Sequence, residues 1–274
     1  MSVAVPEFQF LQTLLRHRSA IVLGDDKHYL VEARLSPIAR SLGMDTATDV
    51  VRHLRDSRDT HLEERVVEAM TTNETSWFRD VAPFEAIRTA VLPEIIERNA
   101  RSRRLAVWSA ASSTGQELYS VALMIETHFP EVWSWQVDLV GTDLNTAVLE
   151  KARSGAFSGL EINRGMPAAM IAKHFSRDGA NFVISEAMRS RVRFEKLNLA
   201  GRWPTMPRFD LILLRNVLIY FDVDDKRRIL ESALAQLSPG GYLLLGAAES
   251  TFGVLQGTPS VSINGTTFYR TEVA

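Results

Sequence analysis

Over the first seventy or so residues, apolar positions recur at spacings of three and four. "FQFLQTLLRHRS", "YLVEARLSPIARSLG", "TDVVRHL" and "HLEERVVEAM" all carry this period. It gathers apolar side chains into one stripe of a helix, so a small helical bundle is predicted. Gly43 follows one run as a C-cap would, and Asp45 or Thr46 is placed to cap the next helix. Pro83 and Pro93 punctuate a helical link that continues towards residue 100. From Arg104 the pattern changes: short apolar runs at Leu105–Ala110, Gln136–Gly141, Val192–Leu197, Phe209–Leu214 and Tyr242–Gly246 alternate with helical stretches starting near Gly115, Asn145 and Val223. Strands alternating with helices predict a parallel, doubly wound sheet. At the end, "VSINGTTFYR" sets Asn264-Gly265 between β-rich arms, a strong signal for a two-residue hairpin turn.

A doubly wound sheet closed by a hairpin, with its reversed strand, is the outline of the Rossmann-like methyltransferase fold. The rhythm breaks between Gly155 and Arg191, a stretch too long for a βα connection, and predicts an inserted subdomain. The division expected is a helical domain over 1–78 and an α/β domain over 79–274, with the insert at about 155–191.

Four stretches carry candidate chemistry. In "LAVWSAASSTGQELYSVALMI" a strand breaks into small residues and a helix follows. The turn has one glycine, Gly115, where a dinucleotide site has three, and it lacks the lysine of a P-loop. Ala110, Ala111, Ser112 and Ser113 let a ligand approach the backbone, and a nucleoside bearing an amino acid suits such a turn better than a pyrophosphate. Glu117 favours a cationic group there, although a first-turn acid is also what the helix dipole prefers. In "DLVGTDLNTAVLEKAR", Asp143 stands just beyond an apolar strand, where an acid takes ribose hydroxyls. Either Asp143 or Asn145 is also suited to cap the following helix. In "FDLILLRNVLIYFD", Arg215-Asn216 ends a buried strand, which brings Asn216 and Tyr220 to the edge where α/β sheets bind ligands. Lastly, "TTNETSWFRD" joins the two domains with Trp77 and Phe78, which are costly to expose.

Composition narrows the class. At 274 residues, 46% hydrophobic and with a net charge of −2, the chain is expected to be a soluble globular protein without nucleic acid or an anionic membrane as its main partner. The absence of cysteine excludes disulfides and thiolate metal sites and suits a reducing compartment. The N-terminus "MSVAVPEFQF" has no basic start and apolar core, so no signal peptide is expected. No uncharged apolar run approaches the roughly 20 residues of a membrane span, and a cytoplasmic location is expected. The six histidines are scattered without ligand spacing, and no metal is expected.

Taken in order, "TTNETSWFR", "WSAASSTGQELYSVAL", "GTDLNTAVLEKARSGAF", "FEKLNL", "FDLILLRNVLIYFD" and "GGYLLLGAAES" resemble the chemotaxis receptor methyltransferases, the CheR family. The likeness spans nearly the whole chain, and six motifs in order are specific where each alone is weak. It implies an S-adenosylmethionine-dependent protein-glutamate O-methyltransferase with S-adenosylhomocysteine as product, a helical N-terminal domain and an inserted β-subdomain. It further implies cofactor contacts at Asn73, Thr75, Arg79, Glu117, Asp143, Asn198, Leu199, Asn216 and Val217, and places Tyr220 near the transferred methyl group. Arg79 and Tyr220 are the catalytic candidates. Three positions depart from the usual family pattern: Gln116 stands where a second acid is common, Leu118 where proline is common, and "GAAES" replaces a frequent Gly-His-Ser-Glu-Ser.

A carboxylate is already a nucleophile at neutral pH, so the implied reaction needs no general base, in keeping with the absence of a Ser–His–Asp or Cys–His pairing. What it needs is alignment of the reacting atoms at about 3–3.5 Å. The implied partners are the cytoplasmic methylation helices of chemoreceptors. Arg16, Arg18, Lys27, Arg34, Arg40, Arg52 and Arg55 are candidates to face these acidic helices, although the same domain has at least as many acids. The insert stretch "FSRDGANFVI" is short and holds only Gly179, which points to an enzyme that needs no C-terminal receptor pentapeptide as a tether. A monomer is expected. Two rival classes are a non-catalytic module that binds the cofactor and an NAD-type oxidoreductase. The intact cofactor residues disfavour the first, and the single-glycine turn disfavours the second. A small-molecule methyltransferase is a milder rival, against which stand the N-terminal bundle and the insert.

Overall fold

The computed structural model describes residues 3–271. The bundle consists of α1 (Val5–Ser19), α2 (His28–Leu42), α3 (Ala47–Ser57) and α4 (Thr60–Ala69). Their apolar stripes meet in one core around Leu11, Leu15, Val31, Leu35, Val50 and Val66. Gly43 ends α2 in the left-handed region at φ 68°. Of the two candidates, Thr46 caps α3, in a reciprocal box with Asp49.

The expected link is α5 (Ala82–Ala86), a π turn (Ile87–Val91) and α6 (Leu92–Arg98). The Leu92 N–H donates to the carbonyl of Ile87, five residues back, just ahead of Pro93, which has no N–H to continue the ladder.

The α/β region then runs β1 (Arg104–Ala110), α7 (Gln116–His128), β2 (Gln136–Asp143) and α8 (Thr146–Ser154). The insert follows: β3 (Ala156–Ser158), α9 (Gly159–Asn163), α10 (Ala168–His174), β4 (Phe175–Asp178), β5 (Asn181–Ile184) and α11 (Glu186–Arg189). The chain returns through β6 (Val192–Lys196), β7 (Phe209–Leu214), α12 (Val223–Ala235), β8 (Leu237–Leu245), β9 (Ser260–Ile263) and β10 (Thr266–Arg270).

The main sheet has seven strands in the order β6-β2-β1-β7-β8-β10-β9. Its first five are parallel and the terminal hairpin is antiparallel, as the sequence pattern predicts. Asn264 and Gly265 both have positive φ, as the hairpin turn requires. The insert is a separate three-stranded antiparallel sheet, β3-β5-β4, carrying short helices as well. β8 begins at Leu237, five residues earlier than the apolar run suggests, because the Ser-Pro-Gly-Gly stretch joins the strand behind a register shift between Phe209 and Leu211.

Because β1 and β7 are central, their carboxyl ends and that of β2 open on one edge. The order reverses there, β2 lying on one side of β1 and β7 on the other. That switch point is where ligands enter folds of this kind.

Candidate active site

The turn after β1 is built from left-handed residues. Ala111, Ser113 and Gly115 have φ of 65°, 51° and 92°. Gly115 is required twice over: a Cβ there would come within 2.9 Å of the Phe194 ring, in a conformation that L side chains rarely adopt. The turn points the Ser113 N–H at Asp143 Oδ2, at 2.9 Å. Asp143 is the last residue of β2, which runs two residues beyond the expected Gln136–Gly141 because β6 pairs with it to its end. Its Oδ1 accepts from the Asn145 N–H at 3.0 Å. Asn145, not Asp143, caps α8, accepting from Ala147 and Val148 N–H. The Asp143 carboxylate is thus fixed by two backbone donors, each oxygen keeping a lone pair for a ligand. Burial pushes its pKa up, against the lowering effect of those donors.

Opposite lies the segment from Thr71 to Val81, which contains no regular element beyond turns. It is pinned at several points. Ser113 Oγ donates to the Asn73 carbonyl at 2.7 Å, the Trp77 N–H to the Arg164 carbonyl at 3.1 Å, and the Phe78 N–H to Ser120 Oγ at 3.0 Å. The Trp77 ring is buried against Phe157 and Phe175 of the insert in edge-on contacts. A Cβ on Gly165 would lie 2.2 Å from the Trp77 carbonyl oxygen. The insert therefore backs this strap, which crosses the mouth of the sheet edge.

Between the two walls lies a cleft. Every sequence-predicted site residue lines it: Asn73, Thr75, Arg79, Glu117, Asp143, Asn198, Leu199, Asn216, Val217 and Tyr220. Asn216 adopts φ 58°, which asparagine tolerates, and its Oδ1 is buried without a protein partner. Ser112 Oγ, also in the cleft wall, is likewise unpartnered. Buried polar atoms of this kind call for a ligand donor or acceptor. Leu144, Leu197, Leu199, Val217 and Phe221 supply an apolar side. Asn198 lines the cleft but spends its side chain elsewhere, donating to the Arg18 carbonyl and accepting from Ala200 N–H.

Three contributors escape the sequence reading. Arg215, passed over there as the end of a strand, is buried and paired with Glu117 and Asp80. Glu249 accepts from the N–H groups of Gly246, Asn216 and Ile219, which shapes the floor beside Tyr220. Ser19, the last residue of α1, and Ile21 just past it also line the cleft, and the Val22 N–H donates to the Tyr220 carbonyl at 2.9 Å. A charge ending an apolar run signals Arg215 in retrospect; nothing local signals the other contacts.

Residues 73–264 match the family model described as the SAM binding domain of CheR methyltransferase, and residues 6–71 match its all-alpha domain. The chain belongs to the CheR methyltransferase family. It is 40% identical over 255 residues to chemotaxis protein methyltransferase 1 of Pseudomonas aeruginosa, covering 91% of this chain and 92% of that one. It is 38% identical to chemotaxis protein methyltransferase Cher2 of Pseudomonas putida, covering 93% and 94%. To the chemotaxis protein methyltransferase of Vibrio parahaemolyticus it is 35% identical, covering 98% of each chain. Among solved structures, a glycopeptide N-methyltransferase complexed with S-adenosyl-L-methionine is 17% identical, with a TM-score of 0.35 and coverage of 74% of this chain and 72% of that one.

This CheR family member is therefore an enzyme of the S-adenosylmethionine-dependent protein-glutamate methyltransferase class. The residues present fit that cofactor. Asp143 offers two oriented acceptors for ribose hydroxyls, the unpartnered Asn216 Oδ1 offers another acceptor, and Glu117 and Arg79 offer opposite charges for an amino-acid tail. Among the described residues no group of three His, Asp or Glu side chains is arranged to hold a metal, and no helix is long and apolar enough to cross a membrane.

The basic residues of the bundle also make pairs within the chain. Arg16 pairs with Asp222 and Asp225, Arg18 with Glu63, and Arg52 and Arg55 with Glu7. Lys27 pairs with Asp26, and Arg34 donates to the Met70 carbonyl and Thr72. These pairs tie α1 to α12 and α4.

Proposed function

We propose that this enzyme methylates the γ-carboxylates of glutamates in the cytoplasmic helices of chemoreceptors, giving methyl esters used in chemosensory adaptation. The observation that carries the reading is the convergence of Asp143, Arg79 and Tyr220 on one cleft, within a chain of this family. Bound in the cleft, S-adenosylmethionine supplies an electrophilic methyl group to a carboxylate that needs no general base. Asp143 holds the ribose, Asn198, Leu199, Asn216 and Val217 the adenine side, and Asn73, Thr75, Arg79 and Glu117 the amino-acid portion. Arg79 also attracts and orients the incoming carboxylate. Its task is positioning, because methyl transfer neutralises both reacting charges and a tightly held anion would react more slowly. The Tyr220 hydroxyl, which has no protein hydrogen-bond partner among the described residues, orients the glutamate beside the methyl pocket.

The helical region over 1–78 presents the receptor to the α/β region over 79–274, and the enzyme acts as a cytoplasmic monomer without a pentapeptide tether. The test is incubation of the purified chain and labelled cofactor with a receptor cytoplasmic fragment. Label that incorporates and leaves as methanol in alkali is the expected result, since esters are base-labile. Base-stable label, or no incorporation despite cofactor binding, overturns the substrate assignment.

A further inference from the structure

Arg215 is the most completely buried cation of the cleft, with 1% of its side chain exposed. It leaves the end of β7 as a planar fork. Nη1 donates to Glu117 Oε2 at 2.8 Å; Nη2 donates to Asp80 Oδ2 at 2.8 Å and to the Arg79 carbonyl at 3.0 Å. The other oxygen of Glu117 accepts from Ser109 Oγ at the end of β1, also at 2.8 Å. One guanidinium thus connects a central strand, the first turn of α7 and the strap that carries Arg79. The strap needs such a restraint. Phe78, Asp80 and Val81 have φ of 46°, 69° and 42°, a left-handed run without glycine that includes a β-branched residue. Backbone of this kind persists only where its surroundings over-determine it.

We infer that Arg215 is a positioning residue for methyl transfer: it touches the strap and Glu117 and sets where the Arg79 side chain stands over the cleft. This rests on the reading of the cleft as the methyl-transfer site. Lysine keeps the charge but not the fork, and cannot serve carboxylates on two sides and a carbonyl at once. Asp80 is the outer arm of the clamp, 40% exposed, so its removal releases the strap without emptying the core.

The test compares Arg215→Lys, Asp80→Ala, Arg79→Ala and the double variants Asp80→Ala/Arg79→Ala and Arg215→Lys/Arg79→Ala. Each is measured by thermal unfolding, S-adenosylhomocysteine titration and steady-state methylation of a receptor fragment. Asp80→Ala is expected to melt within a few degrees of wild type and to lose at least about tenfold in kcat/KM, the scale of one charged hydrogen bond. Its loss should vanish in the Arg79→Ala background, because an arginine that is gone cannot be misplaced. Arg215→Lys should show the same dependence on Arg79. Losses that multiply across the two sites, or an Asp80→Ala enzyme as active as wild type, overturn the inference. A wild type that fails to bind S-adenosylhomocysteine overturns instead the reading of the cleft on which it rests.

Discussion

Asp143 and Arg79 face the same cleft from opposite walls, and they get there by different routes. Asp143 ends a strand paired along its length with β1, and its carboxylate is fixed by two backbone N–H groups. Those donors come from residues within the two turns that define the fold, Ser113 and Asn145. Arg79 lies on a segment without strand or helix, bent through positive φ values, anchored by Arg164 of the insert, Ser120 of α7 and Arg215 just after β7, and closely approached by Gly165. The first wall is made by secondary structure, the second by tertiary contacts alone. The ribose end of the cofactor site is therefore expected to survive changes that move the strap, while the amino-acid end and catalysis suffer from them.

The sharpest test of that asymmetry is Asp143→Ala. It removes the acceptors for the ribose and leaves the turn donors of Ser113 and Asn145 unpaired, and S-adenosylhomocysteine affinity is expected to fall about a hundredfold or more by calorimetry. Binding within a few-fold of wild type would show that the sheet wall is not the anchor. Gly165→Ala strikes the other wall. Its φ of 102° and the 2.2 Å approach to the Trp77 carbonyl force either the insert or the strap to shift. We expect about 2–4 kcal/mol of destabilisation by chemical denaturation, with methylation falling further than cofactor affinity. Equal loss of both would erase the distinction between the walls.

Across the cleft, Arg79→Ala on the strap is expected to cost at least tenfold more activity than Tyr220→Phe beyond β7, on the order of 1.4 kcal/mol. Equal losses would count against Arg79 as the positioning charge. Asn145→Ala removes the cap of α8 and, with it, donation to the Glu68 carbonyl and Thr71. It should cost about 1 kcal/mol of stability but little affinity, because the contact to Asp143 is made by the backbone N–H.

The mildest effect is on pH. Burial raises the pKa of Asp143, so the folded apo protein binds this proton more readily than the unfolded chain does. The stabilisation from protonating this group is present at low pH and is lost as pH rises through the raised value. Ribose binding needs the ionised form, so affinity should weaken as the buffer is acidified from neutrality, sooner than an ordinary aspartate would dictate. Asp143→Asn should flatten that profile.

Much of the architecture was legible because it follows from periodicity. The change from a spacing of three and four to short apolar runs separates bundle from sheet, and Asn264-Gly265 marks the hairpin. Boundaries slipped where pairing partners decided them: β6 extends β2 through Asp143, and Leu237 joins β8 ahead of its apolar run. The named site residues converge on one cleft, but their support was hidden. Arg215 reads as a polar residue ending a strand until Glu117 and Asp80 are seen on either side of it. The pairing of Arg16 and Arg18 with Asp222, Asp225 and Glu63 was equally hidden.

From sequence alone came the order of elements, the carboxyl-end edge of the strands as the place of the site and the residue types that meet a nucleoside with an amino-acid tail. Local spacing determines these, since a strand, a turn and a helix are specified by neighbours along the chain. Tertiary structure alone decided how the strap is held, which acid Arg215 answers, and that the tail of α1 helps to close the cleft. Those contacts join residues far apart in the chain, 136 positions between Arg215 and Arg79 and more between Val22 and Tyr220. No local pattern encodes them, because their energy exists only once separate elements have packed and excluded water.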